Sequence, residues 1–264
     1  MTIEIVKPPR VAIVKTDGIN CDLETNYAFE KAGARSEIVH VNELNERRNL
    51  NEFQIVVIPG GFSYGDDVAS GRIMAIEMQT RFANEFLEYT QKGKLVVGIC
   101  NGFQVLMQSG LLPFGQMQTI DQNKATLTHN DSQRFESRWV NIRYDESVFP
   151  FTVEDETLSL PVAHGEGKFI TDSQTLAKIE KNGQIVFRYC TSQGIATLEY
   201  PQNPNGSMNA IAGVCDPSGK IIGLMPHPER FVEKWHHPNW RRNTNMNIDG
   251  LTIISNIVEV AKQL

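Results

Sequence analysis

Cys100 stands between a short apolar run, Leu95-Val96-Val97-Gly98-Ile99, and a helix-forming stretch, Asn101 to Ser109, that Gly110 ends. A cysteine at a strand-to-helix junction, flanked by Gly98 and Gly102, has the layout of a nucleophile elbow. The glycines permit a sharp turn and leave room for a substrate beside the sulfur. The helix start offers free N–H groups and a positive dipole end, which favour thiolate over thiol. Taken alone, such a cysteine also fits the role of a small core hydrophobe. A second stretch, Pro226-His227-Pro228-Glu229, gives it a partner. The prolines keep this piece out of a helix interior. In extended chain His227 and Glu229 lie on the same side. Glu229 then holds one ring nitrogen of His227 and the other faces a thiol. Nucleophile, base and orienter are the parts of an acyl-transfer triad: thiolate attack on an amide or ester, an acyl-enzyme, then hydrolysis. The oxyanion of that reaction needs donors. The backbone N–H of Asn101 is one, and the loop Gly60-Gly61-Phe62 offers the others through Gly61 and Phe62.

Several elements must position these groups. Arg10 to Val14 reads as the first buried strand, and Thr16 to Asn20 as a loop. Asp22 fits the N-cap of a helix through Ala32 that Gly33 stops. Ser36 to Val41 and Gln54 to Ile58 read as the second and third strands. This order points to a parallel sheet of βαβ units, with ligand sites at the carboxyl ends of its strands. Two loops lie at such ends: the Cys100 elbow and Pro59 to Asp67. The latter is glycine-rich but is not followed by Gly-Lys-Ser/Thr, so it is no phosphate-cradling P-loop. Asp66 and Asp67 lack companions at metal-ligand spacing and read as a turn or helix cap. One helix is expected from Val68 to about Thr90, with Met74, Met78, Phe82 and Phe86 on its core face. Past Gly110 the pattern alternates. Ala125–Leu127, Ser137–Arg143, Ser159–Ala163, Val186–Tyr189 and Ile195–Leu198 are expected strands of a more antiparallel region. Ile211–Cys215 and Lys220–Met225 flank the hairpin turn 216–219. Leu251 to Leu264 is an amphipathic closing helix. The expected fold is α/β: one domain over residues 10–264, a mostly parallel open sheet flanked by helices with an antiparallel extension. Residues 1–9 are read as an N-terminal extension.

The 264 residues carry 41% hydrophobic and 21% charged side chains, enough for a substantial core. A net charge of −6 gives no footprint for nucleic acid or an anionic membrane. The mixed basic and aromatic cluster from Lys234 to Arg242 reads as solvated surface or a protein contact. Cys21, Cys100, Cys190 and Cys215 are widely spaced, with no CxxC pair and no zinc-type histidine spacing. The reading is reduced thiols, no metal site and a cytoplasmic protein. No signal-peptide pattern or membrane-length apolar run occurs.

Gly98-Ile-Cys-Asn-Gly-Phe-Gln104 together with Pro226-His-Pro-Glu-Arg230 resembles the triad-type glutamine amidotransferases. Gly60-Gly-Phe-Ser-Tyr-Gly-Asp66, the Asn-x-Ser-x-Arg-Phe at 130–135 and Ala163-His-Gly-Glu-Gly167 are similar to the glutaminase subunits of phosphoribosylformylglycinamidine synthases. Asn20-Cys21-Asp22 fits the same group. The resemblance runs from about Val11 to Leu264. It implies a flavodoxin-like architecture and a reaction in which Cys100 attacks the side-chain amide of glutamine, with His227 as base and Glu229 as its orienter. It places Gln104, Asn130, Ser132, Arg134 and Phe135 near bound glutamine. It implies ammonia delivery to a larger synthetase subunit that makes formylglycinamidine ribonucleotide in purine synthesis, with a small bridging subunit. This chain would hold no cofactor; ATP and Mg would bind on the synthetase partner. Two other readings compete: another hydrolase with a cysteine elbow, and a catalytically silent regulatory subunit. Redox sensing through Cys100 would need a resolving thiol nearby, which the sequence does not show.

Overall fold

Three apolar runs, β1 (Arg10–Lys15), β3 (Ile55–Ile58) and β4 (Leu95–Ile99), form the centre of the sheet in the computed structural model. It describes residues 7–44, 49–117, 124–151, 157–243 and 245–264. Every residue of β3 and β4 is buried, as expected for parallel strands covered on both faces. β2 (Arg35–His40), polar in its first half and with only Val39 fully buried, forms the edge. The chain continues through β5 (Ala125–Thr128), β6 (Glu136–Tyr144), β7 (Thr157–His164), β8 (Lys168–Thr171), β9 (Ile185–Cys190), β10 (Ile211–Cys215) and β11 (Ile221–Leu224). One nine-stranded sheet has the order β2-β1-β3-β4-β11-β10-β9-β6-β7, and β5 pairs with β8 apart from it. The pairings from β2 to β11 are parallel and those from β11 to β7 antiparallel. The mostly parallel centre and the antiparallel extension are therefore one continuous sheet.

The helices are α1 (Asp22–Lys31), α2 (Arg72–Arg81), α3 (Ala83–Gln91), α4 (Asn101–Gln108), α5 (Leu111–Phe114), α6 (Ser173–Lys181) and α7 (Asp249–Ala261). α4 lies directly on β3: a methyl group added at Gly102 would sit 1.8 Å from the Ile58 carbonyl oxygen. The closing helix buries Ile254, Ile257, Val258 and Ala261, and α1 packs against it.

Four readings need correction. The expected helix over 68–90 is two, because Phe82 leaves helical geometry at φ −129° and ψ 11°. Met74, Met78, Phe82 and Phe86 are still core residues. Asp22 does not cap α1. Cys21 holds the N-cap position without a side-chain cap, and the Asp22 carboxylate pairs with Lys15 Nζ at 2.5 Å. Ile195 and Leu198 are exposed and form no strand; only an isolated bridge joins Ala196 to Cys190. β8 and α6 were not anticipated, although Asp172 accepts from Thr175 N at 2.7 Å as an N-cap should. Most of the expected N-terminal extension, residues 1–6, lies outside the described residues.

Candidate active site

The order β2-β1-β3 places a switch in chain direction between β1 and β3, where open α/β sheets bind ligands beyond their carboxyl ends. The loops after β1, β3, β4 and β11 all meet there. Cys100 follows β4 with φ 50° and ψ −104°. A non-glycine residue in this region is strained, and the strain here has the form of a nucleophile elbow. Its N–H donates to Leu224 O at 2.8 Å, and its carbonyl accepts from Gln104 N, so neighbouring strand and following helix both hold it. The thiol is 5% exposed and lies 3.6 Å from Ala163 O.

His227 comes from the end of β11. Its backbone N–H donates to Pro161 O, and its Nδ1 meets Glu229 Oε1 at 2.6 Å. The pairing arises differently from the extended reading: Pro228–Arg230 form a 3-10 turn that folds Glu229 back under the ring. Both side chains are buried. Burial opposes a charge on His227. The Glu229 carboxylate, then Cys100 and Cys21, outweigh it and hold the imidazole protonated well above its usual range. Nε2 of His227 is buried with no hydrogen-bond partner among the described residues. That is the state expected of a ring nitrogen facing a sulfur.

The cavity beside Cys100 is lined by Asn20, Cys21, Gly61, Phe62, Phe135, Ala163, His227 and Arg230. Its volume is about 60 Å³, well below the about 300–1,000 Å³ of small-molecule sites. A larger cavity, about 710 Å³, lies by Phe114, Lys124 and Lys178, without any triad member. Reactive groups, not volume, locate the chemistry.

The oxyanion donors are incomplete. Asn101 begins α4, so its backbone N–H belongs to the free first turn. Phe62, expected as the second donor, has its N–H committed to Gly18 O at 3.0 Å. Gly61 faces the same β1 loop, bridged to Ile19. As the loop stands, Phe62 donates to protein and not to the cavity.

The residues expected near glutamine divide. Phe135 lines the cavity and is 54% exposed at its mouth. Ser132 Oγ is buried without a hydrogen-bond partner among the described residues, and Arg134 is exposed on the same turn. Asn130 and Gln104 instead build the frame. Asn130 Nδ2 donates to Arg134 O and His164 O, while Oδ1 meets His164 Nδ1 and accepts from Gly167 N. Gln104 Nε2 donates to Glu166 O, and its Oε1 accepts from Asn101 Nδ2. Asn101 in turn accepts from Ser63 N and donates to Asp66. These bonds tie the elbow, the 59–67 loop and the 163–169 loop into one network. Asp66 accepts from Gly71 N beside the start of α2, and burial raises its pKa.

Sequence reasoning assigned no chemistry to Cys21, and none at all to Arg230 or Tyr189. Cys21 packs beside His227, with Arg230 Nη2 donating to its sulfur at 3.2 Å. Burial pushes its thiol up to about 11, against the pull of His227. Tyr189 is buried near Cys100 with its hydroxyl accepting from Asn205 Nδ2. The available signal for Cys21 was topological: it lies in the loop after β1, at the switch point.

Residues 8–259 match the CobB/CobQ-like glutamine amidotransferase domain. The chain belongs to this family. Its curated relatives narrow the branch. A phosphoribosylformylglycinamidine synthase subunit PurQ of Dehalococcoides mccartyi is 44% identical, the alignment covering 97% of this chain and 98% of that one. The PurQ of Methanococcus maripaludis is 41% identical over 95% and 93%. Among solved structures, PurLQS from Thermotoga maritima superimposes with a TM-score of 0.71 at 29% identity, covering 96% of this chain and 99% of that one. A GMP synthase protein from Thermoplasma acidophilum, 13% identical over 97% of this chain and 95% of that one, shares the fold with a TM-score of 0.55. Within the family, the chain groups with the PurQ subunits.

Proposed function

We propose that this chain is the glutaminase subunit of a phosphoribosylformylglycinamidine synthase, and that Cys100, His227 and Glu229 carry its chemistry. The observation that carries the reading is the strained Cys100 elbow set against a buried His227–Glu229 pair, in a chain of the PurQ branch. The Cys100 sulfur attacks the side-chain amide carbon of glutamine. His227, already protonated, gives its proton to the departing nitrogen, and ammonia leaves. A glutamyl thioester remains on Cys100. His227 then takes a proton from water, the hydroxide attacks the thioester, and glutamate is released. Glu229 keeps the ring oriented and stabilises its positive form.

Ammonia passes to a synthetase subunit, which uses it to make the amidine. ATP and Mg bind on that partner, and a small third subunit bridges the two. The placement is cytoplasmic; no described helix is long and apolar enough to cross a membrane. Ser132, Arg134 and Phe135 contact the amino-acid end of glutamine, while Gln104 and Asn130 act by holding the loops. A small cavity and a Phe62 N–H bound to Gly18 describe a resting state. Partner binding completes the oxyanion hole by releasing that N–H.

The test uses a diazo-ketone analogue of glutamine, with the synthetase partner present and absent. One adduct, mapped to Cys100, blocked by excess glutamine and missing in Cys100→Ala, is the expected result. No adduct under either condition, or one on Cys21, Cys190 or Cys215, would refute the reading and favour a silent subunit.

A further inference from the structure

We propose that Cys21, His227 and Glu229 form an inhibitory site for a thiophilic divalent cation of the zinc class. One ligand atom from each lies within 4.8 Å of the other two, and all three residues are buried. Sulfur, imidazole nitrogen and carboxylate oxygen are the donors that zinc takes, at about 2.0–2.3 Å each. Around a tetrahedral ion such donors stand about 3.3–3.6 Å apart. Shifts of about 1 Å in side chains close the observed set around an ion of that geometry. A second observation points the same way. Among the described residues, Glu229 Oε2 is buried with no hydrogen-bond partner, although Oε1 holds the ring. An orphaned, buried carboxylate oxygen beside a thiol and an imidazole is a donor that a cation satisfies.

No sequence spacing announces this site, because Cys21 and His227 are brought together from the loops after β1 and β11. The groups facing His227 are Glu229, Cys100, Cys21 and, more distantly, His164. At the outer edge, Arg230 donates to the Cys21 sulfur. It is already paired with Glu24 at 2.9 Å, and its partly exposed side chain has solvent to turn into. Binding replaces two protons, one on the Cys21 thiol and one on the His227 imidazolium. The products are the three-ligand complex, its fourth position open to water, and two protons released. With its imidazole coordinated, His227 cannot serve as acid or base, so the metal-bound form is off. The binding itself does not depend on the proposed glutaminase activity; only its consequence does.

The experiment adds Co²⁺, a spectroscopic stand-in, and then Zn²⁺ to the full chain. A thiolate-to-cobalt charge-transfer band is expected in wild type and in Cys100→Ser, and is lost in Cys21→Ser. Zn²⁺ should displace the cobalt and bleach the band. With zinc bound, diazo-ketone labelling of Cys100 should slow at least tenfold and recover with chelator. A band that survives Cys21→Ser but vanishes in Cys100→Ser places the metal on the nucleophile and overturns the proposal. Absence of a band in wild type at excess Co²⁺ also overturns it. Should Cys21→Ser fail to fold, as judged by thermal unfolding, the band in Cys100→Ser decides: its loss there overturns the proposal. The cobalt band does not depend on glutamine chemistry, so its failure leaves the proposed function standing.

Discussion

Gly102→Ala tests whether the elbow depends on close contact between α4 and β3. An added Cβ meets Ile58 O at 1.8 Å, Ile58 C at 2.6 Å and Ile58 Cβ at 3.1 Å. The nearest obstacle is backbone, so no rotamer change relieves it. To restore even a 3.0 Å contact, helix and strand must separate by about 1.2 Å. Overpacking of this kind costs about 1–3 kcal/mol. The displacement also falls on the site. Cys100 opens α4, and β3 leads into the Pro59–Phe62 loop, so their separation pulls the nucleophile from its oxyanion donors. A shift of about 1 Å in such a constellation lowers the rate about 100-fold. Gly165→Ala is the control, since an added methyl there meets nothing within 4 Å. Its stability should stay within about 0.5 kcal/mol of wild type. Urea midpoints measure the stabilities, and glutamine turnover with the synthetase partner measures the rate. If Gly102→Ala matches Gly165→Ala in midpoint and keeps turnover within about twofold of wild type, the packing argument is wrong.

Three further outcomes follow from the site. Glu229→Gln should lower turnover by about 10²–10⁴-fold, the range for loss of a tuned acid–base group. Because His227 is held protonated above its unfolded value, its stabilisation is present below about pH 6.5 and is lost as pH rises through the folded pKa; pH-dependent unfolding should show that alkaline slope shrink in Glu229→Gln. His164 behaves oppositely. Burial, aided by the charge on His227, pushes it down to about 3, so the unfolded chain takes up a proton that the fold refuses. Stability should fall by up to about 1.4 kcal/mol per pH unit as pH drops from about 6.5 towards 3, and unfolding curves of His164→Gln should lack that slope. Finally, amide exchange at Phe62 should quicken when the synthetase partner binds, as the bond to Gly18 O opens; unchanged exchange would count against the resting-state reading.

The triad and the parallel centre were legible because each rests on local signals: apolar runs bounded by glycine and proline, and a cysteine at their junction. Contacts across the fold were not. The break at Phe82 falls inside an unbroken apolar stripe, and nothing local distinguishes it from a continuous helix. Asp22 has the side chain of a cap, yet Lys15 on the neighbouring strand claims it. Glu229 reaches His227 through a 3-10 turn, a route that alternation in extended chain did not foresee. Asn130 and Gln104 carry side chains suited to a ligand. The structure uses all of Asn130's amide, and both ends of Gln104's, on loop backbone and Asn101. Cys21 required knowing which loops share a sheet edge. The Phe62 bond to Gly18 required the register of two loops far apart in the chain.

The nucleophile and the base leave the sheet from adjacent rungs. β4 and β11 are parallel neighbours in which Ile99 pairs with Leu224; Cys100 comes next after Ile99, and His227 stands three residues past Leu224. Two hydrogen-bonded strands, about 4.8 Å apart, thus bring the reactive pair to one end of the sheet before any side chain is chosen. The segment joining them, residues 101 to 226, carries α4, the Gln104 and Asn130 frame and the Pro161 carbonyl that holds the His227 backbone. Only the parts of that span away from these contacts can change while the reactive pair keeps its geometry. Lineages of this enzyme are free to remodel the intervening surface for new partners without re-inventing the reaction.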